Sequence, residues 1–180
     1  MPKSRTPVIE RYLSEFVYGA VDGTVTTFAV VAASAGAGLS SVVVLVLGIA
    51  NLIADGFSMG SSAYLAAQSE TNEHALKTKR ASPKVIGVAT FAAFVAVGAL
   101  PIVPYIVDVL LRLRLDSQVV FAYSVGLTAV TFLTIGYAKG RVSKQSIGVS
   151  MFVTLGLGAI AAALAYFAGD VLASWLGVEF

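Results

Sequence analysis

The sequence has no cysteine and a single histidine among its 180 residues. Those absences exclude disulfide frameworks, iron–sulfur clusters, cysteine-based zinc sites and cysteine nucleophiles, and they leave a histidine-assisted catalytic triad only if His74 serves in it. Charge is scarce too: Asp, Glu, Lys and Arg make up 12% of the chain, against about 25% in an ordinary soluble domain. A formal net charge of +2 is too small to point to nucleic acid. What is abundant is apolar surface, with 57% hydrophobic residues and a mean hydropathy of +0.86 spread over the whole length. Such a chain has more apolar surface than its own core can bury, and a lipid bilayer is the solvent that accommodates it.

A spanning helix needs about 20 apolar residues, and the apolar runs between polar breaks supply five, roughly at 16–38, 41–67, 85–107, 118–138 and 146–169. The expected architecture is all-α: a polytopic bundle of five transmembrane helices forming one transmembrane domain over residues 1–180, with no room for a second soluble domain. Met1-Pro2-Lys3-Ser4-Arg5 leads into a polar stretch without a small-residue cleavage site, so no removable signal peptide is expected. Val8, Ile9, Tyr12, Leu13, Phe16 and Val17 recur at helical spacing with Glu10, Arg11, Ser14 and Glu15 opposite. Two readings fit that pattern: an interfacial helix leading into the first span, or simply a longer first helix.

Loop charges set the expected orientation. With a cytoplasmic N-terminus, the inside segments hold Lys3, Arg5, Arg11, Lys77, Lys79, Arg80, Lys84, Lys139, Arg141 and Lys144, and the outside ones only Arg112 and Arg114. That asymmetry follows the positive-inside rule, and five spans then put Asp170 and Glu179 outside.

Ionisable residues at membrane depth carry the most information, because an acid at the centre of a span costs about 2.5–3.5 kcal/mol on insertion scales. Two stand out, Asp22 in the first span and Asp55 in the second. Asn51, Asp55 and Met59 follow one another at i, i+4, i+8, drifting about 40° per step, so they form one stripe. An amide oxygen, a carboxylate and a thioether, with Asp22 facing them, suit a borderline divalent metal such as Fe²⁺ or Mn²⁺ better than Mg²⁺ or Ca²⁺. Against this stand plainer readings: an acid bonded to neighbouring hydroxyls, and a methionine that only fills space.

Gly19 and Gly23 flank Asp22, and Gly56 and Gly60 flank Met59, each pair in the GxxxG spacing that lets helix backbones approach. The expectation is that they bring the two acids near one another; simple bundle or dimer packing is the other reading. A third pair, Gly136 and Gly140, lies where Lys139 and Arg141 snorkel toward the boundary. Ser124, Thr128 and Thr131, and Ser150 with Thr154, are expected to bond between helices or to their own backbone, with pathway lining as the alternative. Pro101 and Pro104 should break the third span, either freeing carbonyls for an ion or ending the helix.

After the second span, Tyr64 to Ala81 lacks Gly and Pro, so the helix can run on until Ser82-Pro83 stops it. Glu70, Glu73 and His74 then share a face at i, i+3, i+4. They could collect a metal ion, or belong to a solvated face paired with Lys77.

Asp22-Gly23-Thr24-Val25-Thr26 with Phe28-Ala29-Val30, and Gly48-Ile49-Ala50-Asn51-Leu52-Ile53-Ala54-Asp55-Gly56-Phe57-Ser58-Met59-Gly60 running into Tyr64-Leu65, make the sequence resemble the vacuolar iron transporter family. That family includes plant and fungal iron and manganese exporters to the vacuole and many bacterial relatives. The resemblance implies a homodimer exchanging cytoplasmic Fe²⁺, with Mn²⁺ as a further substrate, for protons across the bilayer, past the carboxylate matched by Asp22 and the thioether matched by Met59. The chain departs from the family in two places. A Glu-rich cytoplasmic insertion between spans two and three is replaced by 17 residues, 68–84, and some relatives have Glu where this chain has Asn51. The short chain resembles the bacterial members, hence a plasma membrane; in a eukaryote the vacuolar membrane is expected.

The leading functional expectation is therefore a proton-coupled metal exporter with no resident cofactor, the metal being its substrate. A passive divalent-cation channel and a non-transporting assembly subunit are the alternatives. An intramembrane enzyme has little support, because no histidine lies in a span and no serine is paired with a recognisable base.

Overall fold

The computed structural model describes residues 8–73, 82–143 and 145–177. Its elements are helices α1 (Val8–Gly36), α2 (Ser41–Glu73), α3 (Pro83–Gly98), α4 (Val103–Leu111), α5 (Ser117–Val142) and α6 (Ile147–Leu176), with a 3-10 turn at Leu100–Ile102 between α3 and α4. Among the described residues there is no strand. Five segments are long and apolar enough to cross a membrane: Leu13–Gly36, Ser41–Ser69, Pro83–Leu111, Ser117–Arg141 and Ile147–Leu176. The chain is an all-helical membrane protein of five spans. One end of the bundle, where α1 begins and α2 and α5 finish, is called the N-terminal end below, and the other the far end.

α1 is continuous from Val8, which decides for a longer first helix over a separate interfacial one. It stops at a glycine turn: Gly38 adopts φ +73°, where a side chain would be strained, and the Leu39 N–H returns to Ser34 O at 2.9 Å. Ser41 then starts α2 within a few residues. The third span breaks where its prolines predict. Neither Pro101 nor Pro104 can donate a backbone N–H, and the chain passes through the 3-10 turn before resuming as α4. The Pro101 carbonyl does not await an ion, since the Ser124 hydroxyl of α5 donates to it at 2.6 Å. α6 runs to Leu176, seven residues past its expected end, with Asp170 exposed on the helix rather than in a tail.

The core is formed by Phe28 and Val31 of α1, Val44 and Leu52 of α2, Phe94 of α3, Ile102, Tyr105 of α4, and Val120 and Phe132 of α5. α3 sits between α1 and α2 and packs extensively on both. Small residues permit this. A methyl placed on Gly23 would lie 3.0 Å from Phe94 Cα, and one on Gly98 would lie 2.7 Å from Gly23 O. On the other side, methyls on Gly60 and Gly87 would lie 2.9 Å from the Cβ atoms of Phe91 and Tyr64. The two glycine pairs expected to join α1 to α2 each face α3 instead. GxxxG spacing specifies that a backbone can come close, not which one, and α3, with Gly87, Ala93 and Gly98 buried along it, accepts a neighbour on each side. The third pair brings α5 against α6: a methyl on Gly136 would lie 2.6 Å from Met151 Cα.

Candidate metal pathway between α1 and α2

Although their glycines face α3, α1 and α2 also touch one another directly. Asn51 Nδ2 donates to Thr27 Oγ1 across this seam at 3.5 Å, a long bond. The helices are antiparallel, so the same register sets Asp22 and Asp55 at one level, close enough for their carboxylates to repel. The expected approach of the two acids is thus present, delivered by the α1–α2 seam rather than by the glycines.

Their surroundings differ. Asp22 is half-buried and Asp55 is exposed on the outer face of α2. Among the described residues neither carboxylate has a hydrogen-bond donor or cationic partner, so the plain reading of acids satisfied by neighbouring hydroxyls does not hold. The hydroxyl one turn on from Asp22 is committed elsewhere: Thr26 Oγ1 donates to the backbone oxygen of Asp22 at 2.9 Å. Met59 is half-buried and rests against the apolar core, a position that serves packing whatever else its sulfur does. Asn51 is half-buried, with its amide nitrogen on Thr27 and its oxygen free to accept. Among the described residues no three acidic or imidazole side chains converge, so a single copy supplies a pair of carboxylates and no complete cage.

Beside Asn51 a cleft of about 590 Å³ opens toward the far end between α1, α2 and α6, lined in part by Ser34, Leu47 and Leu172. Toward the N-terminal end the structure adds a residue that the sequence reading left on a polar surface. Glu15 stands seven positions before Asp22, within about 20° of it around the helix, and its Oε2 is buried with no hydrogen-bond partner among the described residues. The i, i+7 spacing of the two acids was the available signal. Of the candidates on the extension of α2, the backbone at Glu70 and Glu73 is helical, and His74 lies outside the described residues.

The hydroxyl positions divide. Thr131 and Thr154 donate to their own helices, to Leu127 O and Ser150 O at 2.8 Å each, and Ser124 bonds between helices. Thr128 Oγ1 and Ser150 Oγ are buried with no hydrogen-bond partner among the described residues. A further buried acid, Asp108 near the end of α4, accepts from the Leu115 N–H at 3.0 Å and so folds the far-end loop back on itself.

The profile of the VIT family matches residues 13–82 and 71–170, nearly the whole chain and every described residue of this seam. The chain belongs to the VIT family. Among similar proteins of known name, a vacuolar iron transporter of Toxoplasma gondii is 43% identical over 68 residues, 38% of this chain and 22% of that protein. Vacuolar iron transporter 1 of Arabidopsis thaliana is 39% identical over 74 residues, 41% of this chain and 30% of its own length. Those two alignments span less than a third of the relatives they match. Vacuolar iron transporter 1 of Oryza sativa subsp. japonica aligns along 84% of this chain and 82% of itself, at 25% identity over 212 positions. Because 212 positions exceed the 180 residues of this VIT-family chain, the rice protein has residues with no counterpart here. The two profile segments meet at 71–82, the connection between α2 and α3.

Proposed function

We propose that this protein is a homodimeric transporter that carries Fe²⁺, with Mn²⁺ as a second substrate, out of the cytoplasm in exchange for protons. The observation that carries the reading is the pair of unpartnered carboxylates, Asp22 and Asp55, set against each other at membrane depth with Asp55 uncovered. An exposed acid facing hydrocarbon is costly, by about 2.5–3.5 kcal/mol on insertion scales. A second copy laid against the α1/α2 face covers it and brings four carboxylates around one axis. A divalent cation there removes their mutual repulsion.

Protons and metal compete for the same carboxylate lone pairs, so metal entry displaces protons and reprotonation releases metal. Asn51 offers an amide oxygen and Met59 a soft sulfur, which favours Fe²⁺ over Mg²⁺ and Ca²⁺. Glu15 lies between the entrance and Asp22, and the cleft beside Asn51 is the way out toward the far end. The asymmetry of the loop charges along the sequence, ten basic residues against two, supports a cytoplasmic N-terminus. By sequence, Glu70, Glu73 and His74 belong to the connection expected on the cytoplasmic side, where they would gather metal weakly. The names of the relatives, vacuolar iron transporters, support iron as the cargo.

The test is a proteoliposome assay that follows metal and internal pH together. Fe²⁺ uptake with counter-movement of protons is expected. Metal movement without protons makes the protein a passive channel, and no movement of either makes it a membrane assembly subunit.

A further inference from the structure

On the side of α2 away from Asp22, a second cleft of about 430 Å³ lies between α2 and α3. It exists because Gly60 and Gly87 meet with no side chain between them, so the larger residues on either side stand up as walls. Phe57 and Val88 are 70% and 67% exposed, which turns the opening outward, to the surface that meets lipid. From Lys84 to Phe91 the cleft follows α3 for seven residues, about 10.5 Å, within the ~15 Å of one hydrocarbon leaflet. At its N-terminal mouth the lining changes character: Lys84 stands there, exposed and with no acidic partner among the described residues, near the hydroxyl groups of Ser61 and Tyr64.

From this arrangement we infer that the α2/α3 cleft binds an anionic phospholipid, one acyl chain lying along Phe57, Val88 and Phe91 and the headgroup phosphate held at Lys84. The apolar trough selects a hydrocarbon tail, and the cation at its mouth, with no acidic partner among the described residues, selects the charge of the head. An apolar helix of a second copy in the same place would bury the Lys84 ammonium without a counter-charge, which is costly. The bound tail presses on α2 beside Gly60, one residue from Met59. The inference stands on the cleft and its cation, and does not depend on which ion the protein carries.

The experiment is native mass spectrometry of the full-length protein in detergent, with dioleoyl phosphatidylglycerol or dioleoyl phosphatidylcholine added. The wild type should retain the anionic lipid about fivefold more, the size expected for one lysine near the headgroups. Lys84→Gln should erase that preference and Lys84→Arg should keep it. Arg141→Gln, which loses the same charge at the same end from a residue stacked over Tyr137, should keep it as well. Val88→Trp, which fills the trough and leaves Lys84 in place, should lower retention of the anionic lipid. Equal retention of both lipids by the wild type overturns the proposal, as does an undiminished preference in Lys84→Gln. Equal losses in Lys84→Gln and Arg141→Gln overturn it in favour of diffuse surface charge. A dimer that falls apart on Val88→Trp, with no lipid retained in either form, overturns it in favour of a second copy in the cleft.

Discussion

The α1/α2 seam and the α4/α5 corner contain the same chemistry, carboxylates and hydroxyls at membrane depth, and treat it in opposite ways. At the corner Asp108 and Ser124 are answered within the chain. Asp108 accepts from the Leu115 N–H, and Ser124 donates to the carbonyl that the prolines leave free. In the seam Asp22 and Asp55 face one another without a donor or cation between them, and Glu15 repeats the pattern two turns away. Buried polar groups are paired in nearly all folded proteins; Asp108 follows that rule, whereas the buried Oε2 of Glu15 has no partner among the described residues.

Four substitutions sharpen or break that contrast. The largest effect is expected from Asp22→Asn, which keeps the size of the side chain and removes the charge. Metal uptake in proteoliposomes should fall to background while the purified protein stays folded and assembled by size exclusion. Uptake at the wild-type rate would reduce Asp22 to a packing residue and erase the distinction between seam and corner. Asp108→Ala should do the reverse. Leaving the Leu115 N–H without its acceptor costs about 1–3 kcal/mol, read as a lower melting temperature in detergent, with transport per folded molecule unchanged.

Met59→Leu comes next. The volumes are similar, so stability should fall by less than ~1.5 kcal/mol, and loss of the sulfur should reduce Fe²⁺ transport more than Mn²⁺ transport. Equal retention of both leaves Met59 to the core against which it rests. The smallest effect belongs to the triple alanine variant of Glu70, Glu73 and His74. If these residues only gather metal, the apparent KM rises and kcat is nearly constant, and an unchanged rate at limiting metal makes them a solvated face.

The five spans were legible because length and hydropathy decide them, and the break at 101–104 because proline has no amide to give. The stripe of Asn51, Asp55 and Met59 was legible from helical period alone. What the sequence hid were non-local choices. The glycines announced close approach, and only packing reveals that α3 is the helix approached. Glu15 stood among Glu10, Arg11 and Ser14, so it read as part of a polar face, although its spacing from Asp22 said otherwise. Asp108 sits at a span end, and its role depends on a loop that returns seven residues later. The end of α6 was placed too early because Gly169-Asp170 looks like a stop, whereas Val171, Leu172, Trp175 and Leu176 continue the apolar surface.

α6 touches α5 at the N-terminal end, through Gly136 and Gly140 against Met151 and Ile147, and α1 at the far end, where a methyl on Gly36 would lie 3.0 Å from the Tyr166 carbonyl carbon. It therefore runs corner to corner like a diagonal brace across a frame. Its joints bring backbones together at both ends, and along α5 the rings of Phe121 and Tyr166 stack between them at 5.7 Å. The α1/α2 side is joined differently, through the shared core of Phe28, Val31, Val44 and Leu52 and one long hydrogen bond of 3.5 Å. The α6 side of the frame is braced by its own backbones, and the α1/α2 side carries two carboxylates with no partner among the described residues.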